Sequence, residues 1–372
     1  MTLPHEFYMA RALRLAEKGR YITHPNPRVG CVLVKDGRIV GEGHTQRAGA
    51  DHAEVDALKK AGAAARGATA YVSMEPCCFQ GRTGPCTQAL TSAGVVTLVY
   101  GMEDPHPRVN GQGIQALREA GLTIVGPLLE TSAHKLNPGF ISVNQGGLPR
   151  VTCKLAMSLD GKIALANGDS QWITASAARE DVQRLRAASG AIVTGVQTVI
   201  HDDPSMTVRA AELGNLDPAL ARTAAEIARP RVVLDSSGRM PVGARIITGP
   251  QPTLVATTMK SHPLAGTEGL EIQTLAADTQ GRVDLGHLLK MLAEKAYNEV
   301  LFECGPTLAG SLLQSGLLDE LVVYVSGKVL GHQAKSLLET QTLLTLSKAQ
   351  RMRIVDVRHL GGDLKLVWHP VD

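Results

Sequence analysis

Three short segments of this chain carry chemistry that works only if they meet at one point, and that requirement constrains the fold more than any other feature. They are His52-Ala53-Glu54, then Glu75-Pro76-Cys77-Cys78, then Cys86. Together they offer an imidazole, a set of thiols and a carboxylate that need not be a ligand. Metal chemistry that activates water needs that set: three protein ligands, one position left to water, and a neighbouring group that moves protons. The apolar spacing of AEVDALKKAGAAARG is helical, so His52 and Glu54 are expected in a first helical turn, at the positive end of the helix dipole. ATAYVSM reads as a strand and puts Cys77 at its C-terminal end, and CTQALTSAG reads as a helix opened by Cys86. Two helix starts and one strand end converge at the carboxyl edge of an open α/β sheet, where such sheets bind ligands. Gly81, Gly84 and Pro85 let the chain fold back between the cysteines.

The order H-x-E, P-C and a later Cys resembles the signature of the zinc-dependent base deaminases. More specifically, HAE, EPC and GRTGPC resemble the deaminase half of the bifunctional riboflavin-biosynthesis deaminase–reductase family, in which the second zinc cysteine also follows a longer loop. The resemblance implies Zn2+ held by His52, Cys77 and Cys86, with Glu54 as the catalytic proton shuttle. Where the family commonly has Ser-His, this chain has Cys78-Phe79. Cys78 is therefore a competing thiol, and Cys77 is preferred because it directly follows Pro76. A closed structural zinc site, or no metal at all, is the alternative, but structural sites usually use paired C-x-x-C knuckles, which the sequence lacks. Asn26, between Pro25 and Pro27, matches a family Asn that contacts the pyrimidine; turn formation is its other reading. A His often found one place after His44 is Thr45 here, so His44 either substitutes for it or is simply solvated. DPHPRVNGQG is similar to the family's DPNP-x-V-x-G-x-G, and Asp104 and Asn110 either line the pocket or simply serve a Pro- and Gly-rich loop that needs polar residues anyway, the reading preferred here.

In chain order, MTLPHEFYMARALRLAEKGR reads as an amphipathic helix and lacks the apolar core of a signal peptide. Val29 to Val34 and RIVGEG form a hairpin around Asp36-Gly37, with Cys31 as a small buried hydrophobe. After Cys86 the order is strand, helix, strand, so the first domain is expected to be a three-layer α/β sandwich over residues 1–126. Residues 127–149, with weak periodicity and several Pro and Gly, fit a linker, and LLETSAHKL and Phe140 suggest that it packs.

Residues 150–372 again alternate strands and helices, with strands expected at RVTCKLAM, AIVTG, RVVLD, TLVAT, EVLFEC, ELVVYVS, MRIVDVR and DLKLVWH. The usual G-x-G-x-x-G dinucleotide fingerprint after a strand is absent. In its place EVLFEC runs into Gly305-Pro306-Thr307 and a helix, whose first N–H groups make a phosphate site. KLAMSLDGKIA, SQWIT, TGVQTVIHDDPSMTVR and ECGPTLAGSLL resemble, in order, the reductase half of the same family, which is dihydrofolate-reductase-like and uses NADPH. The resemblance implies NADPH contacts at Ala156, Trp172, Thr198, Asp202, Ser236 and the run Gly305, Pro306, Thr307, Leu308, Ala309, Gly310 and Ser311. It implies substrate contacts at Ser170, Arg186, Met206, Arg209 and Glu303. Arg186 and Arg209 are permanent cations suited to a phosphate. Each has a plainer reading: Arg186 paired with Glu180 or Asp181 on its helix, Trp172 in the core, Asp202 shaping a turn.

The chain of 372 residues has room for two domains. No apolar run is long enough to span a bilayer. Six cysteines in this length do not make a disulfide scaffold, so a cytoplasmic setting is expected. A net charge of +3 and 3% aromatics argue against a nucleic-acid partner, which needs a basic groove with stacking rings. The expected partners are a small pyrimidine ribose phosphate and further copies of the chain. The expected function is deamination followed by NADPH reduction of the ribosyl group. Its rivals are a nucleoside or RNA base deaminase with a C-terminal binding module, and a zinc-stabilised scaffold.

Overall fold

A computed structural model describes residues 3–249 and 251–371. The chain divides into two units, residues 1–148 and 149–372.

The first unit begins with α1 (His5–Ala16), followed by the hairpin β1 (Gly30–Lys35) and β2 (Arg38–His44). Its turn places Asp36 and Gly37 at φ of 51° and 73°, the pair of left-handed residues that a two-residue hairpin requires. Then come α2 (Ala53–Ala61), β3 (Thr69–Val72), α3 (Cys86–Ser92), β4 (Thr97–Tyr100), α4 (Gln112–Glu119) and β5 (Thr123–Val125). The sheet order is β2-β1-β3-β4-β5, with β1 antiparallel to both neighbours and β3, β4 and β5 parallel. Alternate residues of β1 serve opposite layers, as the strand's two-residue period demands. Cys31 and Leu33 pack with Ala53, Ala57, Leu90, Ile114 and Leu117 of the helices on one face. Val32 and Val34 pack with Tyr8, Met9, Ala12 and Leu15 of α1 on the other. This is the expected three-layer sandwich. Gly43 lets α2 press onto β2: a Cβ there would stand 2.2 Å from the carbonyl oxygen of Ala53.

The stretch read from sequence as a connection folds in this unit as α5 (Glu130–His134) and α6 (Pro138–Asn144). Phe140 and Ile141 pack with Met74 and Met102. Asn137 accepts from Arg28 N–H and donates to Arg28 O, at 2.7 and 2.9 Å.

The second unit runs β6 (Arg150–Met157), β7 (Lys162–Ala164), α7 (Ser176–Ala188), β8 (Ala191–Gly195), α8 (Val196–Asp202), α9 (Pro218–Glu226), β9 (Arg231–Leu234) and α10 (Arg245–Thr248). It continues with β10 (Thr253–Thr257), β11 (Leu270–Thr274), α11 (Leu285–Glu294), β12 (Glu299–Glu303), α12 (Pro306–Gln314), β13 (Glu320–Val325), β14 (Lys335–Ser336), β15 (Met352–Leu360) and β16 (Asp363–Pro370). Nine strands form one sheet in the order β11-β10-β9-β8-β12-β6-β13-β16-β15. All pairings from β11 to β13 are parallel, and β16 and β15 close the sheet antiparallel. The run AAELGNLDPALARTAAEIA contributes α9, begun by Asp217, whose carboxylate accepts from Ala219 and Leu220 N–H at 3.0 Å each.

Candidate active site

In the first unit, His52 is the N-cap of α2 and Glu54 lies in its first turn. Cys86 opens α3. Cys77 lies in the loop beyond β3 rather than at the strand's end, because the strand stops at Val72. The loop reaches the same place nonetheless: His52 Nδ1 lies 3.5 Å from Cys77 Sγ and 3.3 Å from Cys86 Sγ. The three ligand atoms all fall within 4.8 Å of one another. Around a tetrahedral zinc, a nitrogen at about 2.1 Å and a sulfur at about 2.3 Å stand about 3.6 Å apart, so the donor set fits that ion.

Electrostatics favour a thiolate at Cys77. The Cys86 thiol donates to its sulfur, and that effect, opposed by burial and aided by His52, holds the Cys77 pKa down to about 4. Cys86 N–H, at the start of α3, also points at that sulfur at 3.4 Å, the setting that lowers a cysteine's pKa. Cys78 is turned away. Its Sγ donates to Arg108 O at 3.5 Å, and burial raises its pKa. Glu54 is 3% exposed. Burial, reinforced by the charge on Cys77, pushes its carboxyl up to about 7, where a group both takes and gives protons near neutrality.

Glu75, which carries no assigned role in the sequence pattern, organises one wall of the site. This buried carboxylate accepts from Asp104, Gly111, Gly113 and Ile114 N–H at 2.8–3.1 Å. It thereby fixes the DPHPRVNGQG loop beside the cysteines. Burial raises Asp104 to about 7. Across the same loop, Arg108 stands 4.1 Å over the Phe79 ring, which stacks on His106. Thr45 is a structural anchor: its hydroxyl accepts from Val29 N–H at 3.1 Å. His44 faces Asp56 at 3.8 Å. Asn26 is half-buried on the loop before β1. A cavity of about 440 Å³ opens at the outer edge of His52, lined by Thr83, Gln88 and Ser92 among others, with none of Glu54, Cys77 or Cys86 in its wall.

In the second unit, several of the residues implied as cofactor and substrate contacts lie at the carboxyl end of neighbouring parallel strands. Ala156 lies one residue before the end of β6, Thr198 and Asp202 lie on α8 after β8, Ser236 follows β9, Glu303 ends β12 and Gly305 follows it. That edge is where open parallel sheets bind nucleotides. Gly305 faces open space where a Cβ would stand, and α12 begins there, so the backbone suits a dinucleotide phosphate. Thr307 Oγ1 donates to Glu339 Oε2 at 2.6 Å. Gly310 admits the Glu339 backbone, whose carbonyl oxygen would lie 1.9 Å from a Cβ there. Ser236 Oγ accepts from Val283 N–H at 3.0 Å. The residue before it, Asp235, is fully buried and pairs with His262 Nε2 at 3.1 Å, which steadies that loop.

Arg186 does not pair along its own helix; Arg184 takes Asp181 instead. Arg186 Nε and Nη2 donate to the two Glu303 oxygens at 2.5 and 2.9 Å. Lys154 sits opposite Glu303 in the β6–β12 register, and burial lowers its pKa. Arg209 is exposed and pairs with Glu212. Trp172 is not core: it is 61% exposed, with the Arg179 guanidinium 4.7 Å over its ring. Ser170 is half-buried, and Met206 is buried with Ile192 and Val196.

Fold and site together define a zinc deaminase joined to a parallel-sheet reductase in one chain. Residues 3–102 match the cytidine and deoxycytidylate deaminase zinc-binding region, and residues 149–366 match the RibD C-terminal domain. The Escherichia coli riboflavin biosynthesis protein RibD is 47% identical over 97% of this chain and 98% of its own. A solved Acinetobacter baumannii RibD is 40% identical, covers 99% of each chain and has a TM-score of 0.90. A Thermotoga maritima deaminase/reductase is 31% identical over 99% of each chain, with a TM-score of 0.83. The chain belongs to the RibD family of bifunctional riboflavin-biosynthesis deaminase–reductases, with Zn2+ and NADPH as cofactors.

Proposed function

We propose that residues of the first unit deaminate 2,5-diamino-6-ribosylamino-4(3H)-pyrimidinone 5′-phosphate, and that residues of the second reduce the ribosyl group of the resulting uracil to ribityl. The observation that carries this reading is the meeting of His52 Nδ1, Cys77 Sγ and Cys86 Sγ within 4.8 Å, beside a buried Glu54. When bound there, zinc supplies the Lewis acidity that draws the pKa of a water towards about 7. Glu54 would take a proton from a water at that site and give it to the ring nitrogen, then carry the hydroxyl proton of the tetrahedral carbon to the amino group, which leaves as ammonia as the carbonyl forms. Asn26 reads the pyrimidine edge with its amide.

When bound, NADPH would supply the hydride for the ribose C1. Ala156, Trp172, Thr198, Asp202, Ser236 and the run from Gly305 to Ser311 hold it. Ser170, Arg186, Met206, Arg209 and Glu303 hold the sugar phosphate. Arg186 donates twice to Glu303 and once to Thr207 O, so its work is to aim that carboxylate at a sugar hydroxyl. Arg209 has an exposed guanidinium that exchanges Glu212 for a phosphate. The division of labour falls in the 127–149 stretch.

A homo-oligomer in a reducing cytoplasm completes the proposal. All six cysteines are free, and β15, the last strand of its sheet, leaves Ile354, Val355 and Val357 exposed. No helix among the described residues is long and apolar enough to cross a membrane. Incubation with the diaminopyrimidine phosphate tests the whole reading. Ammonia release without NADPH, and ribityl product only with it, is expected; ammonia from cytidine but not from the pyrimidine phosphate would favour a nucleoside deaminase.

A further inference from the structure

The His52 ring has two nitrogens, and the structure gives them different neighbours. Nδ1 faces Cys77 and Cys86 at 3.5 and 3.3 Å. Nε2 faces Thr83 Oγ1 at 3.3 Å. A metal-ligating imidazole is neutral, so a ring bound through Nδ1 carries its proton on Nε2. That N–H needs an acceptor, and a hydroxyl supplies one. We propose that Thr83 is a positioning residue for zinc: its hydroxyl accepts from His52 Nε2–H, fixing the tautomer and the plane of the ring so that Nδ1 faces the two thiols.

Three observations support the assignment. First, Thr83 lies on the long loop between Cys77 and Cys86, and that loop closes on itself through Gly81 N–H donating to Thr83 O at 3.1 Å. The loop therefore does more than join two ligands: it carries the third ligand's partner. Second, the far edge of His52 borders the cavity of about 440 Å³ between α2 and α3. Without a partner, the ring has room on that side to swing. Third, the other polar residues lining that cavity include Asp51, Gln88 and Ser92. Of these, Asp51 is held by Lys59 at 2.5 Å, whereas Thr83 Oγ1 reaches His52 Nε2 at 3.3 Å. Partners of this kind typically contribute about 10–100-fold in metal affinity.

The inference rests on the zinc reading of His52, Cys77 and Cys86, and the test separates the two. Full-length protein, stripped and reloaded, is titrated with zinc against a chromophoric chelator for wild type, Thr83→Val, Thr83→Ser, Gln88→Ala and His52→Ala. Thr83→Val is expected to weaken zinc about tenfold or more, with the thermal midpoint of the stripped protein unchanged. Thr83→Ser and Gln88→Ala are expected to bind as wild type does. Wild-type affinity in Thr83→Val, or equal loss in Thr83→Ser, would overturn the role of the hydroxyl. Wild-type affinity in His52→Ala would instead overturn the zinc site itself.

Discussion

The Arg186 guanidinium lies edge-on to the Glu303 carboxylate, two N–H groups on two oxygens at 2.5 and 2.9 Å, with both side chains largely out of water. The two residues are 117 positions apart, one on α7 and one at the end of β12. Burial alone would raise the Glu303 pKa, but the Arg186 charge and its hydrogen bonds reverse that and leave it below the ordinary value of 4.5. A depressed folded-state pKa means that the pair stabilises fully above the unfolded value and loses that contribution as pH falls through the folded one. Glu303→Gln should therefore cost about 3–5 kcal/mol near neutrality, and the deficit should shrink below the ordinary carboxylate range. Urea unfolding at several pH values checks this; a deficit that grows in acid would contradict it.

Glu75 should matter almost as much to the deaminase unit. Glu75→Ala leaves the N–H groups of Asp104, Gly111, Gly113 and Ile114 without their acceptor, three of them in buried bonds. The expected loss is about 2–5 kcal/mol, seen in urea unfolding, with slower ammonia release. Wild-type stability would mean that the loop is held by something else.

Glu54→Gln keeps the size of the side chain and removes its proton exchange. It should retain zinc, by elemental analysis, while ammonia release falls about 10²–10⁴-fold. Retained turnover would take Glu54 out of the mechanism.

Arg209→Ala should raise KM for the ribose phosphate in the reduction and leave ammonia release unchanged. Its ion pair with Glu212 is exposed, and such pairs contribute only about 0–1 kcal/mol, so the fold should tolerate the change. Equal damage to both activities would speak against a phosphate role confined to the second unit.

How far the sequence led depended on how local each signal was. Helical spacing after His52 and Cys86 put both at helix starts, and Asp36-Gly37 marked the hairpin, because capping and turns act over a few residues. Cys77 was harder to place: Ser73 to Pro76 extend past the last paired residue of β3, and composition does not show where pairing stops. Strand β11 was not anticipated, since LEIQT is short and only half-buried. The 127–149 stretch reads as a connection because its two helices are only five and seven residues long. The Arg186–Glu303 pair and the four N–H groups on Glu75 were invisible. They join residues far apart in the chain, and only the strand order brings them together. The plainer reading of Trp172 as core failed because an aromatic ring covered by an Arg needs no burial.

The most direct test of the account is X-ray absorption at the zinc edge of the loaded protein, wild type beside Cys77→Ser and Cys78→Ser. The account predicts one nitrogen at about 2.0–2.1 Å, two sulfurs at about 2.3 Å and one light oxygen ligand in the wild type, the same shell in Cys78→Ser, and loss of zinc in Cys77→Ser. Three sulfurs in the wild type, falling to two in Cys78→Ser, would show the fourth position closed by Cys78 and contradict it.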